Sequence, residues 1–388
     1  MEIGIDKIGF YSPHYYVDMV DLAHARDEDP NKYTIGIGQD EMAVAPVTQD
    51  AVSLAGNAAL QILTEEDREA IDFVMFATET GVDHSKSGGV YLHELLGLKR
   101  EARSIELKQA CYAGTAALQL AKGHVALHPE SKVLVLASDI ARYGLATPGE
   151  VTQGAGAVAY LVSANPRVLV LDREATSMTK DIMDFWRPIY SEYAFVDGHY
   201  SNEQYIEYFG AVWQEYQEKT GLTIDDFEAI CFHLPYTKMG RKALEAIYPD
   251  GLGENEERIM DNYEASTTYS RRVGNIYTAS LYLGFISLLE NKELEEGVKI
   301  GFYSYGSGGV GEFFSGHLQK GYRDYLFAEA HQAMLDNRTK LSIPEYEEIF
   351  EEKLPVDGSE AMLNVEEDTG SICLSGVRNH ERKYVNKN

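Results

Sequence analysis

Short apolar runs alternate with longer helical patterns along the chain. The short runs are rich in branched residues and predict β-strands. We place these strands at residues 71–78, 133–138, 157–162, 168–171, 229–233 and 298–305. The longer segments near residues 53–63, 113–127, 240–247 and 276–290 predict helices. Strands that alternate with helices are typical of an α/β architecture.

The two halves of the chain share a faint internal repeat. In each half an Asp-Phe pair begins a strand, and the position that ends the strand is ionisable: Glu79 in the first half and His233 in the second. An apolar helical segment then follows Cys111 in the first half and Asn275 in the second. The repeat favours a duplicated fold, because the matched positions are also those with chemical potential.

Charge limits the partners that the protein can bind. The 388 residues include 34 Lys and Arg against 62 Asp and Glu, a formal net charge of −28. This excess of acid argues against nucleic acid and against anionic membrane surfaces as general partners. Any polyanionic ligand would need a local basic patch. The longest apolar candidate for a membrane segment, residues 279–289, is too short to cross a bilayer.

Cysteine usage points to a reducing compartment. The three cysteines, Cys111, Cys231 and Cys373, are widely spaced and show neither a disulfide framework nor a zinc-binding pattern. The first residues lack the basic and apolar run of a secretory signal. We therefore expect a cytoplasmic protein without a metal site.

Four side chains are candidates for chemistry. Cys111 precedes a helix, where the positive end of the helix dipole favours a thiolate. Glu79 and His233 follow buried strands, and Asn275 occupies the position that matches Cys111. Strand ends converge on the ligand crevice of an α/β sheet, so the four would form one site with a nucleophile, a base and hydrogen-bond donors. Taken singly, an ordinary structural role is favoured for each: a buried core cysteine for Cys111, a loop or helix-cap glutamate for Glu79, and a surface or core histidine for His233.

Two further features have an ordinary and a functional interpretation. Lys238, Arg241 and Lys242 would share one helix face and supply the basic patch that an anionic ligand needs, or they form a solvated surface. The glycine runs at 154–159 and 306–311 imitate a dinucleotide fingerprint. Strand-like sequence follows both runs where the fingerprint requires a helix. We therefore expect a hairpin turn or close backbone approach there, and no NAD.

Seven motifs resemble one known family. They are DPNKYTIGIGQ at 29–39, ACY at 110–112, QGAGAVA at 153–159, DFWRP at 184–188, VDG at 196–198, FHLPYTKMG at 232–240 and VGNIYT at 273–278. Together they are similar to the 3-hydroxy-3-methylglutaryl-CoA (HMG-CoA) synthases of bacterial type. The resemblance extends over the chain to about residue 340.

This resemblance implies a thiolase-like α/β fold. Two duplicated αβαβα halves, residues 1–165 and residues 166–388 with a C-terminal extension, would form five layers and assemble as a homodimer. The family condenses acetyl-CoA with acetoacetyl-CoA and water to give HMG-CoA and CoA, in the mevalonate pathway of isoprenoid biosynthesis, and requires no cofactor. By motif matching, Cys111 would accept the acetyl group, Glu79 would act as general acid and base, and His233 would position acetoacetyl-CoA.

The resemblance also implies binding residues. Asp29, Lys32, Lys238 and Lys242 would lie near the CoA moiety, and Thr152, Ser201, Asn275 and Ser307 near the acyl end. Segments 144–151 and 189–195 depart from the family pattern, and we expect them to alter the pocket walls.

Two other functions fit parts of this pattern. A ketoacyl synthase III-like condensing enzyme would use a Cys-His-Asn set, but its decarboxylative chemistry needs no base such as Glu79. A catalytically silent acyl-CoA-binding protein on the same fold would not need Glu79, Cys111 and His233 together.

Overall fold

A computed structural model describes residues 1–388. The helices are α1 Met19–Ala25, α2 Ala51–Ile62, α3 Glu65–Ala70, α4 Gly88–Leu95, α5 Ala113–Leu127, α6 Gly198–Thr220, α7 Met239–Ile247, α8 Glu256–Val273, α9 Ser280–Asn291, α10 Ala328–Asp336 and α11 Ile343–Glu351. The strands are β1 Ile3–Tyr11, β2 Tyr15–Asp18, β3 Glu41–Val44, β4 Ile71–Ala77, β5 Arg103–Leu107, β6 Lys132–Ala141, β7 Gly154–Ala164, β8 Leu169–Thr179, β9 Phe185–Trp186, β10 Phe195–Val196, β11 Ala229–Phe232, β12 Lys299–Gly306, β13 Val310–Leu318, β14 Thr339–Lys340, β15 Ala361–Met362, β16 Ile372–Arg378 and β17 Glu381–Asn386.

Nine strands form one mixed sheet in the order β11-β12-β13-β8-β1-β7-β6-β4-β5. The first half of the chain supplies β1, β4, β5, β6 and β7, and the second half supplies β8, β11, β12 and β13. The two groups are joined where β1 pairs with β8, and this pairing involves only Gly4 with Val170 and Ile5 with Leu169. The predicted boundary between residues 165 and 166 falls in the connection from β7 to β8.

Helices cover both faces of each group of strands. Alternate side chains of β6 point in opposite directions: Val133 and Val135 enter a central core with α5 and α9, whereas Leu134 and Leu136 pack against α2 and α4. Strands β11, β12 and β13 contribute to the same central core and, on their other face, pack against α6 and α7. The layers are, in order, α2 with α4, the strands of the first half, α5 with α9, the strands of the second half, and α6 with α7. These five layers confirm the predicted αβαβα architecture.

Most predicted elements are present. The helix predicted for 113–127 has the same bounds in the structure, and each predicted strand lies within or next to an observed one. The segment 168–171 is only the start of β8, and α9 begins at Ser280 because residues 277–279 form a 3₁₀ turn. Gly306 pairs with Val310 across the turn between β12 and β13, so this glycine run forms the expected hairpin.

The C-terminal residues return to the first half. The hairpin of β16 and β17 packs on α2, where Asp50 accepts hydrogen bonds from Arg382 at 2.9 Å and from Tyr384 at 2.7 Å. None of the helices has the length and hydrophobicity needed to cross a membrane.

The central helix layer is expected to dominate stability. Leu283 of α9 is fully buried in the central core, so Leu283→Ala removes packed methyl groups and should lower the free energy of unfolding by about 2–5 kcal/mol. Leu127, at the end of α5, is 79% exposed and provides the matched control. Urea denaturation followed by circular dichroism measures both variants; equal losses in the two would contradict the layer assignment.

Candidate active site

The nucleophile candidate Cys111 and the base candidate Glu79 are in contact. Glu79 follows β4, Cys111 lies two residues before α5, and the thiol donates a hydrogen bond to Glu79 Oε1 over 3.3 Å. The backbone of Ala110, just before Cys111, has a φ of 43°, which is uncommon for a residue with a side chain. The fold therefore brings together the end of β4 and the start of α5, two positions that the sequence repeat singled out.

Cys111 does not have the thiolate character that its position suggested. The residue is only 8% exposed, and burial together with the adjacent Glu79 carboxyl raises the pKa of its thiol well above the ordinary value. The expectation based on the helix dipole was therefore wrong, because desolvation and a neighbouring carboxyl outweigh the helix terminus. The group in hydrogen-bond contact with the thiol, and able to accept its proton, is the Glu79 carboxyl.

Glu79 is tuned for proton transfer near neutral pH. Burial raises its pKa, the negative charge of Asp139 raises it further, and the positive charge of Arg187 opposes both; the resulting pKa is about 8. A carboxyl group with a pKa in this range is able to accept and return a proton at physiological pH.

Asp139 connects the segments of this part of the site, and no motif in the sequence indicates this role. Its buried carboxylate accepts hydrogen bonds from Thr78 Oγ1 at 2.8 Å and from Glu79 N at 2.9 Å. It also accepts them from the backbone N and Oγ1 of Thr80, at 3.0 and 2.7 Å. From the second half, Thr278 donates through its backbone N at 3.0 Å and its Oγ1 at 2.6 Å. The carboxylate thus ties the Glu79 loop to the turn before α9. The only signal in the sequence was a lone acid in an apolar strand.

His233 comes from the second half of the fold. Its backbone N–H donates to Tyr303 O at 2.8 Å, and its carbonyl accepts from Tyr205 at 2.7 Å, which fixes the residue at the end of β11. Burial lowers the pKa of the imidazole to about 3, so the ring is neutral at physiological pH. The ring Nδ1 is buried without a hydrogen-bond partner.

Aromatic side chains enclose the thiol. Cys111 packs with Ala141, Phe185 and Tyr277, and Tyr143 packs against the same group. The ring centroids of Tyr143, Phe185 and Tyr277 lie 5.9 to 6.2 Å apart in edge-to-face arrangements. We call this group the aromatic chamber. These side chains bury the thiol, and electrostatic interactions are stronger in such a desolvated environment.

Two of the four residues predicted for the acyl end lie next to the chamber. The buried Asn275 accepts hydrogen bonds from Tyr277 N at 2.9 Å and from Ser280 Oγ at 2.8 Å, both through Oδ1. Ser307 is at the tip of the β12–β13 hairpin, and its carbonyl accepts from Gln109 Nε2 at 3.5 Å.

The other two make contacts of a different kind. Ser201 donates to Asp184 Oδ2 at 3.0 Å, and Asp184 Oδ1 accepts from Gly308 N at 2.6 Å, so Ser201 acts on the hairpin through Asp184. The hydroxyl of Thr152 donates to Gly149 O at 2.9 Å within its own turn.

The residues predicted to contact CoA come from two adjacent segments. Thr237 donates to Ile37 O at 3.1 Å, which places the start of α7, with Lys238, beside the segment that carries Asp29 and Lys32. The ammonium group of Lys32 lies 2.6 Å from the Glu28 carboxylate.

The basic patch is weaker than the sequence suggested. Arg241 forms an ion pair at 2.8 Å with Glu245, one turn further along α7, so its charge is partly neutralised. Lys242 is exposed and donates to Tyr236 at 3.1 Å. Lys238 and Lys242 therefore remain as the available cations of this helix.

Comparison with known proteins gives consistent results over the whole chain. Residues 1–167 match the model "Hydroxymethylglutaryl-coenzyme A synthase N terminal", and residues 169–262 and 252–359 match the corresponding C-terminal model. A hydroxymethylglutaryl-CoA synthase from Enterococcus faecalis is 55% identical over 100% of both chains. The polyketide biosynthesis 3-hydroxy-3-methylglutaryl-ACP synthase PksG of Bacillus subtilis is 32% identical over 89% of this chain and 87% of its own.

Solved structures agree with these relatives. An HMG-CoA synthase complexed with CoA superposes with a TM-score of 0.96 at 48% identity and covers 100% of both chains. MvaS in complex with 3-hydroxy-3-methylglutaryl coenzyme A superposes with a TM-score of 0.90 at 36% identity, over 100% of this chain and 99% of that chain.

The negative charge of Asp139 should be visible in the pH dependence. We expect transfer of an acyl group to the thiol to increase with pH as Glu79 ionises, with a midpoint near its pKa of about 8. Asp139→Asn removes a negative charge, so the pKa of Glu79 falls and the midpoint moves to lower pH. The rate of acylation from an activated thioester, measured at a series of pH values, tests this. Asp83→Asn, at an exposed loop carboxyl, is the control and should leave the midpoint unchanged; an unchanged or higher midpoint in Asp139→Asn would contradict the assignment.

Proposed function

The chain belongs to the hydroxymethylglutaryl-CoA synthase family, and we propose that Glu79, Cys111 and His233 carry out the condensation in it. The reaction joins acetyl-CoA to acetoacetyl-CoA, consumes water and yields HMG-CoA and CoA, in the mevalonate pathway. The observation that carries the residue assignment is the hydrogen bond from the Cys111 thiol to Glu79 inside the aromatic chamber.

Acetyl transfer is the first step. Glu79 accepts the thiol proton while the sulfur of Cys111 attacks the carbonyl carbon of acetyl-CoA. The bond from that carbon to the CoA sulfur breaks, and CoA leaves as the thiol with the proton that Glu79 returns. Because the pKa of Cys111 is raised, a base in direct contact accelerates this step.

Condensation uses the same carboxyl group. Glu79 removes a proton from the methyl group of the acetyl thioester, and the resulting enolate attacks the ketone carbon of acetoacetyl-CoA. His233 is neutral, so it donates a hydrogen bond to the ketone oxygen as negative charge develops there. The alkoxide takes up a proton, and water then cleaves the thioester to release HMG-CoA.

A thiol in contact with a carboxyl group also separates this function from the ketoacyl synthase III-like alternative. Decarboxylation of a malonyl group creates a carbanion without a base, whereas a bound acetyl group must be deprotonated. Glu79, at 3.3 Å from the sulfur that would carry the acetyl group, is placed for deprotonation.

CoA recognition follows from the distribution of charge. In a chain of net charge −28, the phosphates of CoA need local cations, and we assign Lys32, Lys238 and Lys242 to them, with Asp29 beside Lys32. The adjacency of the two segments supports a shared site. We assign Thr152, Ser201, Asn275 and Ser307 to the acyl end, with Ser201 acting through Asp184.

The proposal extends to assembly and location. Strand β5 is an edge of the nine-stranded sheet, and Ile105 at its centre is 44% exposed. Val90 of α4 and Leu120 of α5 are also exposed, and both helices contact β5. An exposed apolar edge strand is a template for pairing, so a homodimer joined at β5 accounts for it.

The three cysteines are unpaired, which suits a reducing cytoplasm. Residues 1–165 and 166–388 form the two halves of each subunit.

Labelled acetyl-CoA should acetylate Cys111, with detection by mass spectrometry of the modified peptide. Cys111→Ser should abolish the label because the weaker nucleophile is not activated. Glu79→Ala should still accept acetyl groups, at a reduced rate, but should lose condensation by at least roughly a hundredfold. Cys231→Ser, at a fully buried cysteine of β11, is the control and should label normally. Condensation by Glu79→Ala near the wild-type rate would rule out Glu79 as the base, and preference for malonyl-CoA over acetyl-CoA would favour the alternative enzyme.

The assembly is tested at Ile105. Light scattering should give twice the subunit mass of 43.3 kDa for the wild type, and Ile105→Asp should reduce it to one subunit, because a buried charge at the shared edge is costly. Ile189→Asp, at an 85% exposed apolar residue elsewhere, should remain dimeric. A dimeric Ile105→Asp protein would exclude the β5 edge, and a monomeric wild type would exclude the dimer.

A further inference from the structure

In the ribbon of β9 and β10, the first strand is followed by an arginine close in sequence to the aromatic chamber. Trp186 pairs with Phe195, and their rings stack on the outer face at 5.7 Å. Phe185 is the neighbour of Trp186 and lies on the inner face, where it is buried. Arg187 comes one residue after the end of β9, and because side chains alternate along an extended chain, we infer that it shares the inner face with Phe185.

The inner face of this ribbon is a wall of the chamber. Phe185 packs with Cys111 and Tyr277, and Ala194 packs against the same group. Arg187 is half-buried and comes two residues after Phe185 in the sequence. The positive charge of Arg187 lowers the pKa of Glu79, in agreement with a position of the guanidinium on the chamber side of the ribbon.

Arg187 has no carboxylate within the 4.0 Å of an ion pair. Other arginines of similar burial are paired: Arg26 with Glu150, Arg271 with Asp40 and Arg272 with Glu41. In a chain with 62 acidic residues, an unpaired and half-buried guanidinium is a free site for an anion. Planar carboxylates are the anions that it binds in bidentate fashion.

We propose that Arg187 binds the carboxylate that is created when the thioester on Cys111 is hydrolysed. This inference rests on the proposed function. In that step the water oxygen forms a bond to the thioester carbonyl carbon, and the bond from this carbon to the Cys111 sulfur breaks. One water proton ends on the sulfur, the other is released through Glu79, and the acyl group leaves as a free carboxylate.

A cation is required at this point for an electrostatic reason. The new carboxylate appears where the thioester was, next to Glu79 and within reach of the buried charge of Asp139. Like charges at a few ångströms in a medium of low dielectric constant repel strongly. Arg187 offsets this repulsion and fixes the position of the carboxylate. Acetyl-CoA and acetoacetyl-CoA do not require this interaction, because neither has a carboxylate in its acyl group.

Binding of two ligands to three variants tests this proposal. Isothermal titration calorimetry compares HMG-CoA with 3-hydroxy-3-methylbutyryl-CoA, which lacks the carboxyl group. Arg187→Gln should weaken the binding of HMG-CoA by roughly tenfold to hundredfold, the usual effect of losing charged hydrogen bonds. The same substitution should change the affinity for 3-hydroxy-3-methylbutyryl-CoA by less than about twofold. Arg187→Lys should recover part of the difference, because it retains the charge without the planar fork. Arg173→Gln, at a 95% exposed arginine, should change neither ligand.

The alternatives give different results. An equal loss for both ligands, or a loss for neither, would overturn the carboxylate assignment. A shift in the pH profile of Arg187→Gln with unchanged discrimination between the ligands would also overturn it and would show that Arg187 acts only through Glu79. Acetylation of Cys111 by labelled acetyl-CoA should persist in Arg187→Gln. If the wild type itself were not acetylated, the proposed function would fail independently of Arg187.

Discussion

The site depends on the carboxylate of Asp139. Six hydrogen bonds converge on it, four from Thr78, Glu79 and Thr80 after β4 and two from Thr278 before α9. These donors come from both halves of the duplicated fold, so the carboxylate fixes the relative position of the halves beside Glu79 and Cys111, the residues proposed for catalysis. A buried carboxylate without these partners would destabilise the fold, which makes the donors and Asp139 dependent on one another.

The same carboxylate sets the electrostatics of the chamber. Its charge raises the pKa of Glu79, and the charge of Arg187 opposes this effect. If only desolvation and Asp139 acted, Glu79 would hold its proton too firmly to serve as a base. If a cation dominated, it would be too weak a base to deprotonate a buried thiol or a methyl group. The opposing charges of Asp139 and Arg187 therefore keep the pKa of Glu79 in the range that the proton transfers proposed for it require.

The sequence predicted those parts of the structure whose causes are local. A helix at 113–127 and the strand before Glu79 follow from periodicity alone. Strand β1 was missed although it is buried along its whole length, because Asp6 and Lys7 interrupt its apolar pattern. Asp6 accepts a hydrogen bond from Arg167 at 2.7 Å, and Lys7 donates one to Asp67 at 2.5 Å. Both partners are distant in the sequence. No role could be predicted for Asp139 and Arg187 for the same reason. The role of a single charged residue depends on neighbours in the tertiary structure, and these do not appear in a local sequence pattern.

The seam between the halves also explains the glycine runs. A Cβ atom at Gly154 would lie 2.6 Å from Val273 O, and one at Gly306 would lie 2.6 Å from Gln109 O. Both contacts bring the backbone of one half against the backbone of the other, at distances that no side chain permits. The runs that imitate a dinucleotide fingerprint thus owe their glycines to backbone approach around Cys111. Glycine at these positions allows the two duplicated halves to approach closely, so that the segment of the first half that carries Cys111 lies against the β12–β13 hairpin of the second half.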